Sequence, residues 1–218
     1  MSDEKIILWG VKASPYVRKV MVALSEKQIP YEQKEILPKV LLELTGQVVP
    51  NDFLHASPLG KIPALQVNNF CIADSSVISA YLDRKFITGS LLYPHNPEKY
   101  AKTLWFERYA DTTLSDITYK KIFMENVIKP ALLDQKSNRE IVEYAMLNEL
   151  PPILDYINES VTENLWIAGD HFSIADIAIV VQFLALKTSG FEISENRWLG
   201  IKSYLKKVLD RPSFQEII

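Results

Sequence analysis

The chain has 218 residues, 48% hydrophobic and 23% charged, with a formal net charge of −3. That supplies ample apolar surface for one large or two small cores, and it lacks the basic excess that nucleic-acid binding requires, so no nucleic-acid partner is expected. A single cysteine, Cys71, excludes an intrachain disulfide and a multi-cysteine zinc site, and fits a reducing compartment.

The amino terminus is charged at Asp3, Glu4 and Lys5 before any apolar run, unlike a secretory leader. The run Lys5 to Trp9, ending at Gly10, predicts a buried first strand. After the loop to Ser14, the spacing of Val17, Val20, Met21 and Leu24 predicts a helix, with Ser14 as N-cap and Pro15 in its first turn. It should stop near Gln28, because the residue before Pro30 disfavours helix. Tyr31 to Ile36 is polar and weakly alternating, the pattern of an edge strand. Pro38 to Thr45 predicts a second helix closed by Gly46. One helical turn is expected near Asn51 to Leu54.

The segment Ser57 to Ser76, SPLGKIPALQVNNFCIADSS, carries the densest signals. Ile62-Pro63 is a candidate cis peptide, since the X-Pro bond costs only ~0.5–1 kcal/mol in that form. Ala64 to Val67 and Phe70 to Ala73 read as a hairpin turning on Asn68-Asn69, which tolerate positive φ. Cys71 then falls in a strand as a buried, inert thiol. Asp74-Ser75-Ser76 opens a helix carried by Val77, Ile78, Tyr81 and Leu82. A helix start of this kind favours an anion. The order strand, helix, strand, helix, hairpin, helix describes an α/β unit over residues 1–84.

Residues 85–96 read as a linker, and residues 97–218 as an all-helical domain. Asn96 and Pro97 start a long helix in which Tyr100, Leu104 and Trp105 share a face and which contains Tyr109 and Thr113. Further helices are predicted at 138–159, 173–188 and 199–209, with a last turn after Pro212. The longest apolar run, Ile174 to Leu186, is broken by Asp176 and Gln182 and falls short of the ~20 residues a membrane span needs. A cytoplasmic protein with no membrane partner is therefore expected.

Three blocks, Ser14 to Val20 (SPYVRKV), Ser57 to Ser76, and Ala168 to Asp176 (AGDHFSIAD), resemble the cytosolic glutathione S-transferases, serine-type, tau-like or a related bacterial class. The resemblance runs from end to end. It implies a thioredoxin-like N-terminal domain, an all-helical C-terminal domain and a homodimer using glutathione as co-substrate without a metal. It also implies that Ser14 activates the glutathione thiol. Ile62, before the cis Pro63, would pair its backbone with the cysteinyl part, and Ser75 and Asp74 would hold the γ-glutamyl carboxylate and amine. Lys61 and Lys39 would meet the glycyl carboxylate. The electrophile pocket would lie by the SPY loop, with Tyr16 and Tyr109 as walls. Two departures are visible: an Asp-Ser pair where many relatives have Glu-Ser or Gln-Ser, and an apolar stretch Val40 to Val49 outside the usual pattern.

Each residue also has a plain reading. Ser14 is an ordinary N-cap, Tyr16 is a rival hydroxyl inside the helix, the lysines are surface residues, and the aromatic stripe is core. Ser173 and Asp176 have capping-box spacing, a structural role. No G-x-S-x-G surrounds Ser14, and His55, His95 and His171 fall in expected loops without metal-ligand spacing. Thiol-disulfide exchange would call for cysteine at position 14. The competing functional classes are a non-catalytic ligand- or partner-binding protein and a glutathione-dependent isomerase or peroxidase.

Overall fold

The computed structural model describes residues 4–194 and 196–218. Asp3, part of the charged amino terminus, lies outside them. The chain forms two compact units, one running to Leu92 together with Ile217 and the other from Tyr93 to Glu216 with Ile218.

The first unit is a four-stranded sheet in the order β2-β1-β3-β4, formed by β1 (Ile6–Trp9), β2 (Glu32–Lys34), β3 (Ala64–Val67) and β4 (Phe70–Ala73). β1 runs parallel to β2 and antiparallel to β3, with Trp9 opposite Ala64, and β4 returns antiparallel to β3. All four β1 residues are buried because both faces of the sheet are covered. On one face, α1 (Pro15–Glu26) packs beside α4 (Ser75–Lys85). On the other, Ile7, Trp9 and Ala64 close on Phe53 and Ala56 of α3 (Asn51–Ala56). α2 (Lys39–Leu44) buries only Leu41 and Leu42, while Val40, Leu44 and Val48 stay exposed. The apolar stretch Val40 to Val49 therefore feeds the core only through Leu41, Leu42 and the partly buried Val49.

Local chemistry explains the ends of these elements. Pro15 sits at the start of α1 behind Ser14, and Gln28 takes φ 57 to leave the helix toward Ile29-Pro30. Asn68 alone supplies positive φ in the hairpin turn, at 54°. Its side-chain oxygen also accepts the Lys5 N–H at 3.1 Å.

Residues 88–92 are tied down rather than loose. Lys27, at the C-terminus of α1, is buried and donates to Asp83 Oδ1 at 2.9 Å and to the Ser90 carbonyl at 3.1 Å. The same Asp83 oxygen accepts the Leu92 N–H at 3.0 Å. Gly89 lies so close to the end of α1 that an added Cβ would sit 2.1 Å from the Glu26 carbonyl oxygen.

Within the described residues the second unit is helical. α5 (Pro97–Tyr109) is capped by Asn96, whose side-chain oxygen accepts the Lys99 N–H. It continues through π turns at Ala110–Leu114, α6 (Ser115–Ile117), π turns at Thr118–Ile128 and α7 (Lys129–Leu132). A second run comprises α8 (Arg139–Tyr144), π turns at Ala145–Glu149 and α9 (Leu150–Glu163). α10 (Ile174–Thr188) is the core, buried around its whole circumference from Ile174 to Leu186, and α11 (Leu199–Leu209) and α12 (Pro212–Gln215) complete the unit. No helix among the described residues is long and apolar enough to cross a membrane.

The two polar residues inside the α10 run have partners. Asp176 accepts from the Ile167 and Ser173 N–H groups and from the Tyr204 hydroxyl, and Gln182 accepts from the Thr118 hydroxyl. Tyr100, Leu104 and Trp105, expected to share a face, are each exposed, and α5 instead buries Thr103, Phe106 and Glu107. His55 lies in the last turn of α3, not in a loop.

Candidate active site

The loop after β1 is shaped by Gly10. At φ 138 it adopts a backbone that L side chains rarely take, and an added Cβ would stand 2.5 Å from Val17 Cγ2 and 3.2 Å from Ile62 Cβ. Only glycine lets the SPY loop pass this close to Ile62. Ser14 follows in extended conformation and caps α1, accepting the Val17 N–H over a long 3.5 Å. Among the described residues its hydroxyl proton has no acceptor. The group is thus weakly held as a cap, stands at the positive end of a 12-residue helix, and keeps its donor free.

The second loop is pinned from inside. The buried Ser57 hydroxyl donates to the Lys61 carbonyl at 2.7 Å, and the Gly60 N–H bonds the Ser57 carbonyl at 2.8 Å. Ile62-Pro63 is cis, as the sequence led us to expect, and delivers the chain into β3 beside β1. Gly60 at φ 61 touches α2: its carbonyl accepts the Lys39 N–H at 2.8 Å, and an added Cβ would lie 2.4 Å from Lys39 Cβ. Lys39 is thereby set against the loop that carries Lys61. Lys39 Nζ is 3.6 Å from Glu43, whereas the exposed Lys61 ammonium has no partner among the described residues.

The third part is the start of α4. Asp74 is held at φ 84, ψ 126, an uncommon conformation for a non-glycine residue, of a kind that costs ~1–3 kcal/mol. Its Oδ1 accepts both the Ser76 and Val77 N–H groups, at 3.0 and 3.2 Å. This caps the helix and leaves the N–H and hydroxyl of Ser75 without partners among the described residues. Two donors of one residue are therefore left unpaired among the described residues at a helix N-terminus, a place suited to a carboxylate. Behind them the Lys19 ammonium, on a side chain with no solvent exposure, donates to Ser76 Oγ at 2.9 Å.

Ser14, Tyr16, Lys39, Lys61, Ile62, Pro63, Asp74 and Ser75 all belong to the first unit, and Tyr109 belongs to the second. Tyr109 packs edge-on to Tyr156 at 5.3 Å and beside Trp105 at 6.3 Å. Burial, then the neighbouring Tyr156, pushes its phenol up to about 12. Tyr16 lies in the first turn of α1, half-buried. Cys71 is half-buried against the Trp9–Phe53 cluster, less enclosed than expected, and burial pushes its thiol up, which keeps it protonated.

Gly10, Ser57, Gly60 and Lys19 were not singled out by sequence. The two glycines have a local signal, each punctuating a loop next to a strand or a Lys-Ile-Pro turn. Ser57 and Lys19 have none, because their roles depend on burial.

A family model described as the glutathione S-transferase N-terminal domain matches residues 8–88, and one for the C-terminal domain matches residues 120–212. Glutathione S-transferase F6 of Arabidopsis thaliana is 26% identical over 216 residues, covering 98% of this chain and 99% of the relative. Glutathione S-transferase theta-3 of Mus musculus is 25% identical over 181 residues, 83% of this chain and 72% of that one. Among solved structures, glutathione transferase F7 from Populus trichocarpa has the same fold, with a TM-score of 0.82 and 21% identity over 97% of both chains. Matched by both domain models along most of its length, the chain belongs to the glutathione S-transferase family.

Proposed function

We propose that the protein conjugates the thiolate of glutathione to small hydrophobic electrophiles, with Ser14 stabilising the thiolate. The observation that carries this reading is the Ser14 hydroxyl, a donor with no acceptor among the described residues, at the head of α1 in a loop that Gly10 holds against Ile62. Ile62 would pair its backbone with the cysteinyl residue beside cis Pro63. The Ser75 donors would receive the γ-glutamyl carboxylate, and Asp74 the amine. Lys61 and Lys39 would meet the glycyl carboxylate, and Tyr16 would wall the electrophile site.

A free thiol with pKa ~8.5 is only a few per cent ionised at pH 7, and lowering it by two units needs about 2.7 kcal/mol. A hydrogen bond to a charged sulfur supplies ~1.5–3 kcal/mol and a helix terminus ~0.3–1 kcal/mol. The two together suffice. The thiol proton leaves to solvent as glutathione binds. The sulfur lone pair then forms the C–S bond, and the leaving group departs with its electron pair. We place this chemistry in the cytoplasm, in a homodimer.

Ser14→Ala tests the assignment. With an aromatic halide as electrophile, kcat/KM should fall about 10- to 100-fold, the scale of one charge-assisted hydrogen bond. Binding to immobilised glutathione should persist, and the apparent thiol pKa in the complex should rise. Activity near wild type with glutathione still bound would overturn the role given to Ser14. Glutathione binding without turnover across a panel of electrophiles and peroxides would move the chain to the non-catalytic reading.

A further inference from the structure

Lys19 is the unexpected feature of the first unit. A lysine with no solvent exposure is rare, since its ammonium must be compensated by partners in a poorly hydrated place. This one leaves α1 five residues after Ser14 and reaches α4, where it donates to Ser76 Oγ at 2.9 Å. Ser76 is the residue after Ser75, and its N–H is held by Asp74 Oδ1 at 3.0 Å. The buried cation is therefore fastened to the turn that presents the Ser75 N–H and hydroxyl. Its charge has the same sign as the partial charge of the helix N-terminus, so the two fields add at any anion resting on Ser75.

Resting on the glutathione reading above, we propose that Lys19 is a positioning residue for the α-carboxylate of the γ-glutamyl group. It fixes the first turn of α4, which carries the Ser75 donors, through Ser76, and it adds a buried positive charge beside them. Lys19 does not touch the thiol or the electrophile. Its effect belongs in glutathione affinity and in recognition of that one carboxylate.

The test compares glutathione with γ-aminobutyryl-cysteinyl-glycine, a tripeptide that differs only in lacking this carboxylate. Lys19→Met keeps the stem and removes the charge. It should raise the KM for glutathione about tenfold, the scale of one charge-assisted contact. The KM for the analogue should change less than twofold and kcat at saturation should be little altered, while Lys19→Arg should restore discrimination. Ser76→Ala, which cuts the link without removing the charge, should lose discrimination in the same direction but by less. A merely structural lysine would weaken both tripeptides alike. Equal losses for both, or unchanged discrimination in Ser76→Ala if Lys19→Met does not fold, overturn the proposal. If wild-type protein binds neither tripeptide, it is the glutathione reading that fails; if it discriminates and the Lys19 and Ser76 variants discriminate equally well, only the role of Lys19 falls.

Discussion

Asp83→Ala should be among the most damaging single substitutions in the first unit, although Asp83 takes no part in the proposed site. Lys27 and Asp83 side chains are 2% and 6% exposed and meet at 2.9 Å. Removing the carboxylate leaves the Lys27 ammonium buried, with the Ser90 carbonyl as its remaining described partner in this cluster, and also strips the acceptor from the Leu92 N–H. Breaking one side of a buried pair costs about 3–5 kcal/mol, mostly the desolvation of the orphaned charge. For a chain of this size that corresponds to a fall in Tm of roughly 6–20 °C. The measurement is urea or thermal unfolding of wild type, Asp83→Ala, Lys27→Met and the double variant Lys27→Met/Asp83→Leu. Each single variant should lose most of the stated amount. The double variant should recover a large part of it, since a packed apolar pair in place of a buried ion pair is often neutral or better. Losses below about 1 kcal/mol in both single variants would refute this account, because that is the scale of a solvated surface pair.

Two further outcomes follow. Burial raises the Asp176 carboxyl to about 6 against four hydrogen bonds that pull it down, above the ~3.9 of an unfolded Asp. The folded state then holds more protons in that window, so the stability of wild type relative to Asp176→Asn should decline by roughly 3 kcal/mol as pH rises from about 4 to about 6; a difference that grows with pH in chemical denaturation would mean that the hydrogen bonds outweigh burial. Gly60→Ala forces a side chain into left-handed backbone, at about 1–2 kcal/mol, and against Lys39 Cβ. It should lower Tm by a few degrees and raise the glutathione KM several-fold, and an unchanged KM would separate Lys39 and its loop from the binding site.

The parts of this molecule that were legible in the sequence are those set by local chemistry. Pro15 behind Ser14, Ile62-Pro63, Asn68, and the Asn96-Pro97 and Ser173-Asp176 starts each act through their own backbone, and each is found where local chemistry directs. The parts that were not legible depend on what the chain meets across space. Lys19 and Lys27 have the composition of surface residues and are buried, because α1, α4 and the segment after α4 converge on them. Tyr100, Leu104 and Trp105 are all exposed, and periodicity does not say which side of α5 is covered. The π turns at 110–114 and 118–128 have no sequence signature in propensity, since their residues would suit an α-helix equally.

The short carboxylate of Asp74 has a consequence for how this family member could evolve. Because Oδ1 closes on the amides of Ser76 and Val77, the side chain is already employed in stabilising its own helix. A glutamate there would carry its carboxylate one methylene further out, gaining reach toward the amine proposed to bind there while loosening a cap worth ~1 kcal/mol. Under the proposed glutathione reading, the Asp-Ser pair thus stands at one end of an exchange between fold stability and ligand reach, and drift along that exchange needs only one carbon.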